Sequence, residues 1–340
     1  MRSKIAVVLV AALTMALCAP LFTPLTASAL DMPNVQEIFD KAQFTDSTGY
    51  TINYRIFLPD DYSEDKEYPL LLFFHGAGSK GNDNESQLNT GVQQMFTYSG
   101  GNVRNSIIIA PQCPLLSPDT AKWVDVPNWV DGCKYSTQLI PESTQMKAVV
   151  ELLGYVRETY STDESRWYVT GLSMGGFATW DIIVRHPELW AAAVPVCGGA
   201  DYRKASVIKD LPIWTFHGDQ DPTVPIHGTN EMVAALKAAG STVVKYNVME
   251  GQKHDIWNGV YSYTSMWTWM YKQQKAMPEV TETQATVTEA PATETQATVT
   301  DLVTEPPVES GCASALGASA LTLTAVAAGA VALTKKKKRK

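Results

Sequence analysis

The sequence has 340 residues, enough for one large domain or two ordinary ones, and a formal net charge of −8 at pH 7. Residues 30–310 are more acidic than this total suggests, because they hold 19 Lys and Arg residues against 35 Asp and Glu residues, a formal charge of −16. Such a segment has no basic patch to neutralise phosphates, which argues against nucleic acid as a partner.

The first 29 residues have the pattern of a secretory signal peptide. Arg2 and Lys4 precede an apolar run over residues 5–17, and Ala27-Ser28-Ala29 offers a cleavage site of the A-x-A type. The sequence therefore predicts an exported protein with residues 1–29 removed.

Residues 30–277 alternate between apolar runs and amphipathic stretches, which predicts one sizeable α/β domain. Strands are predicted over residues 51–58, 68–74, 106–110, 167–170, 190–196, 213–216 and 242–249. Helices are predicted over residues 144–159, 177–184, 229–239 and 261–275. This alternation is typical of βαβ units around a mostly parallel sheet, whose functional residues collect beyond the carboxyl ends of the strands.

The segment Gly171-Leu-Ser173-Met-Gly175 has the G-x-S-x-G pattern, between the predicted strand 167–170 and the predicted helix 177–184. This context is that of a nucleophile elbow, a sharp turn that exposes the serine hydroxyl. The flanking glycines suit a turn in which neighbouring backbones approach closely. The alternative is a glycine-rich turn whose serine has no function.

A nucleophilic serine needs a base and an orienting carboxylate. Asp219 and Asp221 lie just past the strand 213–216, and His254 lies just past the last strand, 242–249. The other four histidines favour structural roles, and they are His75, His186, His217 and His227. A metal site made of His217, Asp219 and Asp221 is conceivable, but no further ligand is identifiable. We therefore expect neither a metal nor an organic cofactor.

At the end of the strand 68–74, Phe74-His75-Gly76-Ala77-Gly78 forms an H-G-x-G motif. By itself this motif is weak and is compatible with a simple turn. Together with the serine, acid and histidine motifs in this chain order, it forms a specific pattern.

Residues from about 51 to 271 resemble an α/β-hydrolase of the esterase and prolyl-oligopeptidase-like group, which includes feruloyl and acetyl-xylan esterases, polyhydroxybutyrate depolymerases and dienelactone-hydrolase-like proteins. The matching segments are LPDDY at 58–62, YPLLLFFHGAG at 68–78, GNDN at 81–84, APQCP at 110–114, GLSMGG at 171–176, HGDQDPTVP at 217–225 and HDIW at 254–257. The resemblance implies a mostly parallel central sheet with helices on both faces.

The resemblance also assigns site residues. It implies Ser173 as nucleophile, His254 as base and Asp221, rather than Asp219, as the acid, so that Asp219 is interpreted as a turn-forming residue. It further implies an oxyanion hole made by the backbone N–H groups of Ala77 and Met174.

Loop lengths bear on the substrate. Only 16 residues separate Val196 from Ile213, too few for a large cap domain, whereas residues 111–142 are long and irregular. We expect aromatic side chains in the loops to contact a sugar or an aryl acyl group, and the candidates are Trp123, Trp129 and Trp257. Packing of the loop is an equally good interpretation of these tryptophans. An uncapped site favours an ester carried by a polymer, such as a plant polysaccharide.

Three segments are predicted after the domain. Residues 278–310 lack Lys, Arg, Gly and aromatic residues and repeat the octet TETQATVT, which predicts a disordered Thr/Glu/Pro-rich stalk. Residues 311–334 are uncharged and long enough to span a bilayer, and residues 335–340 are a basic, cytoplasmic tail. The predicted location is the outer face of the cell membrane. The alternative is an alanine-rich helix that does not enter the membrane.

Cysteine spacing is weakly informative. Export permits a disulfide between Cys113 and Cys133, but Cys197 makes the count of cysteines in the domain odd. Without a C-x-x-C motif, neither a disulfide-built fold nor a zinc site is expected.

These patterns predict an exported, surface-tethered serine hydrolase that cleaves carboxylic esters through an acyl-enzyme, with acetyl or feruloyl esters of carbohydrates as the favoured substrates. Two alternatives are a prolyl-oligopeptidase-like serine peptidase, which would use the same three residues, and an inactive surface binding module. The acyl group, the alcohol and the oligomeric state stay open.

Overall fold

The computed structural model describes residues 34–127 and 136–277. Their strands form one eight-stranded sheet in the order β1-β2-β4-β3-β5-β6-β7-β8. The strands are β1 Asp40–Thr45, β2 Thr51–Phe57, β3 Tyr68–Phe74, β4 Ile107–Gln112, β5 Thr162–Leu172, β6 Ala192–Val196, β7 Ile213–Gly218 and β8 Val244–Met249. β2 is antiparallel to both β1 and β4, and the pairs from β4 to β8 are parallel.

Helices cover both faces of this sheet. They are α1 Val35–Ile38, α2 Val92–Tyr98, α3 Thr144–Thr159, α4 Met174–Arg185, α5 His227–Ala238, α6 Trp257–Tyr261 and α7 Thr264–Met270. Alternate residues of β3 enter different core clusters, because successive side chains of a strand point to opposite faces. Leu70 and Leu72 pack in the cluster that contains α3, α4 and α5 residues, whereas Leu71 and Phe73 pack in the cluster that contains α2, α6 and α7 residues.

The predicted fold class is confirmed by this arrangement. The continuous apolar run of β3 is wholly buried, as expected for a strand with helices on both sides. Between β6 and β7, residues 197–212 form only a short 3₁₀ helix, Tyr202–Ile208, so no large cap is inserted at this point.

Several element boundaries differ from the predictions. β4 does not stop before Pro111 but continues to Gln112, because its ladder with β3 ends at Ile109 and Pro111 pairs only with Tyr54 of β2. A proline is tolerated where one side of a strand no longer has to donate a hydrogen bond.

The predicted C-terminal helix over residues 261–275 is wrong in two respects. α6 ends at Tyr261, where the predicted helix begins, and α7 covers only Thr264–Met270 of the predicted range. The Trp267 indole N–H donates to the Tyr261 carbonyl over 2.9 Å, and this carbonyl would otherwise accept an N–H from the next helical turn. The buried indole therefore satisfies a carbonyl at the end of α6.

Several predicted features lie outside the described residues. They are the signal peptide, the stalk, the membrane span with its basic tail, Trp129 and Cys133. Cys113 and Cys197 are buried, free cysteines. Within residues 34–127 and 136–277, no helix has the length and hydrophobicity needed to cross a membrane.

Candidate active site

Ser173 lies on a sharp turn between β5 and α4. β5 ends at Leu172 and α4 begins at Met174, so Ser173 is the N-cap of the helix, with φ 56° and ψ −118°. A positive φ is unfavourable for a residue with a Cβ, and such strain concentrates at functional sites. The turn is held by the Ser173 N–H, which donates to the Val196 carbonyl of β6 over 3.0 Å.

Two glycines allow the turn to form. A Cβ on Gly171 would lie 2.7 Å from the Phe74 carbonyl oxygen, and a Cβ on Gly175 would lie 2.5 Å from the Phe74 carbonyl carbon. The end of β3 therefore packs directly against the backbone on both sides of Ser173. Any side chain at these two positions would push the serine away from the neighbouring strand.

Asp221 follows β7 and is held by two backbone donors. Its Oδ1 accepts the N–H groups of Thr223 and Val224, each at 2.9 Å, and its Oδ2 lies 2.6 Å from His254 Nδ1. Burial by itself would raise the pKa of Asp221. Hydrogen bonds from His217, His254 and the Val224 N–H reverse this effect and hold the pKa well below its usual range. The carboxylate is therefore charged at neutral pH.

His254 follows β8, and its loop is fastened to the loop after β7. Gly218 allows the two loops to lie this close together, since a Cβ at Gly218 would lie 2.5 Å from the Gln252 carbonyl oxygen. The Gly251 N–H donates to Asp219 Oδ1 over 2.7 Å, and the Gln220 N–H donates to Gln252 over 2.9 Å. Asp219, interpreted from the sequence as a turn former, thus connects the two loops.

The His254 ring connects the other two predicted residues. Nδ1 lies 2.6 Å from Asp221 Oδ2, and Nε2 lies 2.8 Å from Ser173 Oγ. A carboxylate only accepts hydrogen bonds, so Nδ1 carries the proton and Nε2 offers a lone pair to the serine hydroxyl. This is the geometry in which a histidine can take a proton from a serine.

The loop after β3 lies beside the serine. A Cβ on Gly76 would lie 3.5 Å from Ser173 Cβ. Ala77 begins the short 3₁₀ helix Ala77–Ser79 and Met174 begins α4, so neither N–H has an acceptor within its own helical turn. Both predicted oxyanion donors therefore lie on segments that flank Ser173.

Buried hydrogen bonds hold this loop. His75 Nε2 accepts the Cys113 N–H at 3.0 Å, while Nδ1 lies 2.7 Å from the Gly76 carbonyl, so the proton is on Nδ1. Burial lowers the pKa of His75 to about 4, which keeps the ring neutral. The indole N–H of Trp123 donates to the His75 carbonyl over 3.2 Å.

This contact corrects one prediction. Of the two interpretations offered for Trp123, contact with substrate is wrong and packing of the loop is what the structure has: the side chain is fully buried against Phe74 and His75, and its indole N–H holds the loop that carries Ala77. Trp257 is half-buried, with its ring centroid 5.5 Å from that of His254 and nearly perpendicular to it. Of the two candidate tryptophans that the structure describes, Trp257 is the one beside the base.

The alternative of a metal site finds no support in these contacts. Asp219 is turned towards the Gly251 N–H, and His217 Nε2 faces the Val224 carbonyl at 2.8 Å. Over the two described ranges, no group of three or more His, Cys, Asp or Glu side chains is arranged to hold a metal ion.

Comparison with known proteins agrees with this architecture. The family model described as phospholipase/carboxylesterase matches residues 61–272. A solved thermostable esterase is 34% identical, with a TM-score of 0.63, over 71% of this chain and 64% of that chain. A solved ferulic acid esterase has the same fold, with a TM-score of 0.52 and 18% identity over 68% of this chain and 98% of that chain.

A curated relative is the endo-1,4-beta-xylanase/feruloyl esterase of Xylanibacter ruminicola, which is 23% identical over 231 residues. The match covers 65% of this chain and only 29% of that protein. The poly(3-hydroxyalkanoate) depolymerase C of Paucimonas lemoignei is 36% identical over 52 residues, which is 15% of this chain and 13% of that protein.

Proposed function

The chain belongs to the phospholipase/carboxylesterase family, and from this membership we propose that it is a serine esterase that uses Ser173 as nucleophile, His254 as general base and Asp221 as the acid that orients the base. The observation that carries the proposal is the His254 ring, which is hydrogen-bonded to Ser173 on one side and to Asp221 on the other, at 2.8 and 2.6 Å. The strained backbone of Ser173 supports the same role.

In the proposed reaction, His254 Nε2 takes the hydroxyl proton as Ser173 Oγ attacks the ester carbonyl carbon. The N–H groups of Ala77 and Met174 stabilise the negative oxygen of the tetrahedral intermediate. His254 then gives its proton to the departing alcohol, which leaves an acyl group on Ser173. A water molecule then attacks the acyl carbon and gives a proton to His254, which passes it to Ser173 Oγ as the bond to the acyl group breaks; the carboxylic acid is released and the serine hydroxyl is regenerated.

We propose acetyl or feruloyl esters of plant polysaccharides as the substrate class. The absence of a large cap after β6 supports a site open to a polymer, and Trp257 beside the base offers an aromatic edge to a sugar or aryl group. The xylanase/feruloyl esterase relative supports the same class by its name.

A substrate panel tests this proposal. We expect acetyl and feruloyl esters of xylo-oligosaccharides to have kcat/KM values about tenfold or more above those of long-chain p-nitrophenyl esters, since a few contacts to the preferred group supply that much discrimination. A prolyl-peptide amide is included for comparison. Preferred cleavage of the amide would identify a peptidase, and no turnover together with no labelling by a fluorophosphonate would identify a binding module.

We also propose export and tethering, on the strength of the signal-peptide pattern of residues 1–29, the stalk composition of 278–310, the uncharged run 311–334 and the basic tail 335–340. Fractionation of cells that express the full chain should find it in the membrane fraction and accessible to protease on intact cells. A variant that ends at residue 310 should be released into the medium. Full-length protein in the cytosolic fraction would contradict the proposal.

A further inference from the structure

A second histidine lies directly behind the Asp221 carboxylate. His217 is the penultimate residue of β7 and is fully buried, with 0% of its surface exposed. Its Nε2 lies 2.8 Å from the Val224 carbonyl oxygen and 3.3 Å from Asp221 Oδ2. On the other side of the ring, Nδ1 lies 2.7 Å from Thr229 Oγ1.

The contacts of His217 define where its protons are. A carbonyl and a carboxylate oxygen only accept hydrogen bonds, so Nε2 must carry a proton. The Thr229 hydroxyl has a single proton, which it donates to the Gly198 carbonyl over 2.8 Å. Nδ1 must therefore donate to Thr229 Oγ1 and also carry a proton. A ring with only one proton would leave one of these buried contacts unsatisfied, which is unfavourable where water is excluded.

We propose that His217 is a positioning residue of the candidate active site, a buried imidazolium whose Nε2–H holds the Asp221 carboxylate in the orientation that accepts the His254 Nδ1–H. The inference rests on the proposed function, because its consequence is an effect on Ser173 chemistry. A buried carboxylate is unfavourable unless it is paired, and an imidazolium provides the opposite charge within the fold.

Val224 and His217 together then hold both carboxylate oxygens of Asp221 in place. The Val224 N–H donates to Oδ1, while the Val224 carbonyl accepts from the same His217 nitrogen that faces Oδ2. The carboxylate cannot rotate about its terminal bond without losing two or more of these contacts. The depressed pKa of Asp221, to which the His217 hydrogen bond contributes after the opposing effect of burial, agrees with this pairing.

Hydrogen bonds and a close backbone contact also connect His217 to the segment that follows Ser173. Thr229, which accepts from His217, donates to Gly198, and a Cβ on Gly198 would lie 2.5 Å from the Phe177 nitrogen in the first turn of α4. This helix begins at Met174, directly after Ser173. His217 thus connects the acid to the backbone that supports the serine.

Nitrogen-15 NMR of histidine-labelled wild-type protein tests the charge directly. At pH 7 we expect both ring nitrogens of His217 to be protonated and each to show a slowly exchanging proton, with the signals assigned by their loss in His217→Gln. A ring with one protonated and one unprotonated nitrogen would overturn the proposal. This measurement does not depend on activity, so its outcome is separate from that of the proposed function, which fails if wild type hydrolyses no ester.

Two substitutions test the positioning role. A glutamine at position 217 can bring an amide N–H to the site of Nε2, whereas an asparagine reaches only the site of Nδ1. We expect His217→Asn to lower kcat by about 100-fold with KM within twofold, since small misplacements of reacting groups have effects of that order. His217→Gln keeps the N–H and loses only the charge, so its kcat should lie within about tenfold of wild type, well above that of His217→Asn.

His186→Gln is the matched control, because His186 is half-buried at the far end of α4 and pairs with Glu142. Its kcat should stay within twofold of wild type. Equal losses in the Asn and Gln variants, or a change confined to KM, would overturn the proposal. If His217→Asn does not fold, the wild-type NMR spectrum and the activity of His217→Gln decide.

Discussion

Replacing Ser173 with alanine is expected to lower kcat for p-nitrophenyl acetate by about 10⁴- to 10⁶-fold, the order found when a serine nucleophile is removed from a working triad. The reason is geometric. His254 Nε2 faces Ser173 Oγ at 2.8 Å, and without that oxygen the base has no nucleophile to activate and no acyl-enzyme can form. A steady-state assay with a fluorophosphonate labelling experiment measures both consequences.

Folding should survive this change. Ser173 makes no side-chain capping bond to α4, and its backbone N–H still donates to Val196 after the substitution. Ser165→Ala is the matched control, because Ser165 lies on the same strand towards its other end and donates only to Asp163. The control should keep wild-type activity and labelling. If Ser173→Ala keeps activity close to wild type, Ser173 is not the nucleophile.

Replacing Asp221 with asparagine is expected to lower kcat by about 10⁴-fold, the order found when the acid of a serine triad becomes an amide. The Thr223 and Val224 N–H groups both donate to Oδ1, so the amide oxygen of asparagine must occupy that site. The NH₂ group then takes the site of Oδ2, where it faces His254 Nδ1. A donor in that position favours the tautomer protonated on Nε2, which cannot accept the serine proton.

Asp219→Asn is the control for this prediction. Asp219 accepts one backbone N–H, from Gly251, and an amide oxygen can replace its carboxylate in that contact. We expect kcat within a few-fold of wild type and a similar melting temperature. A loss in Asp219→Asn as large as that in Asp221→Asn would contradict the choice of acid.

Elements with a strong local pattern were predictable from the sequence. β3 and α3 have the bounds that were predicted for them. A strand buried on both faces is a continuous apolar run, and a helix buried on one side has apolar residues at helical spacing, so both can be identified from consecutive residues. β1 was missed, since it is an edge strand whose alternation is limited to two apolar residues, Ala42 and Phe44, neither of which is fully buried. α2 was missed as well, because it is only seven residues long.

The candidate site was predictable in its residue types and less so in its contacts. Ser173, Asp221 and His254 each lie in a motif at the end of a strand, where parallel sheets collect their functional residues. The burial of Trp123 was not visible in the sequence, because it depends on a contact with His75, 48 residues away in the chain. The role of His217 was hidden for a similar reason, since its partner Thr229 lies 12 residues further on, in α5.

The sequence by itself determined the order of the strands from β2 to β8 with the helices α3, α4 and α5, the strained turn at Ser173 and the chemical groups available at each strand end, because these depend on neighbours within a few residues. Only the tertiary structure decided which groups meet. The pairing of β7 with β8 brings the loops of Asp221 and His254 together. Because Trp123 and His217 are buried, their ring N–H groups form hydrogen bonds with protein carbonyl oxygens. Hydrogen bonds between distant segments form only once the sheet has aligned them, so no local pattern records them.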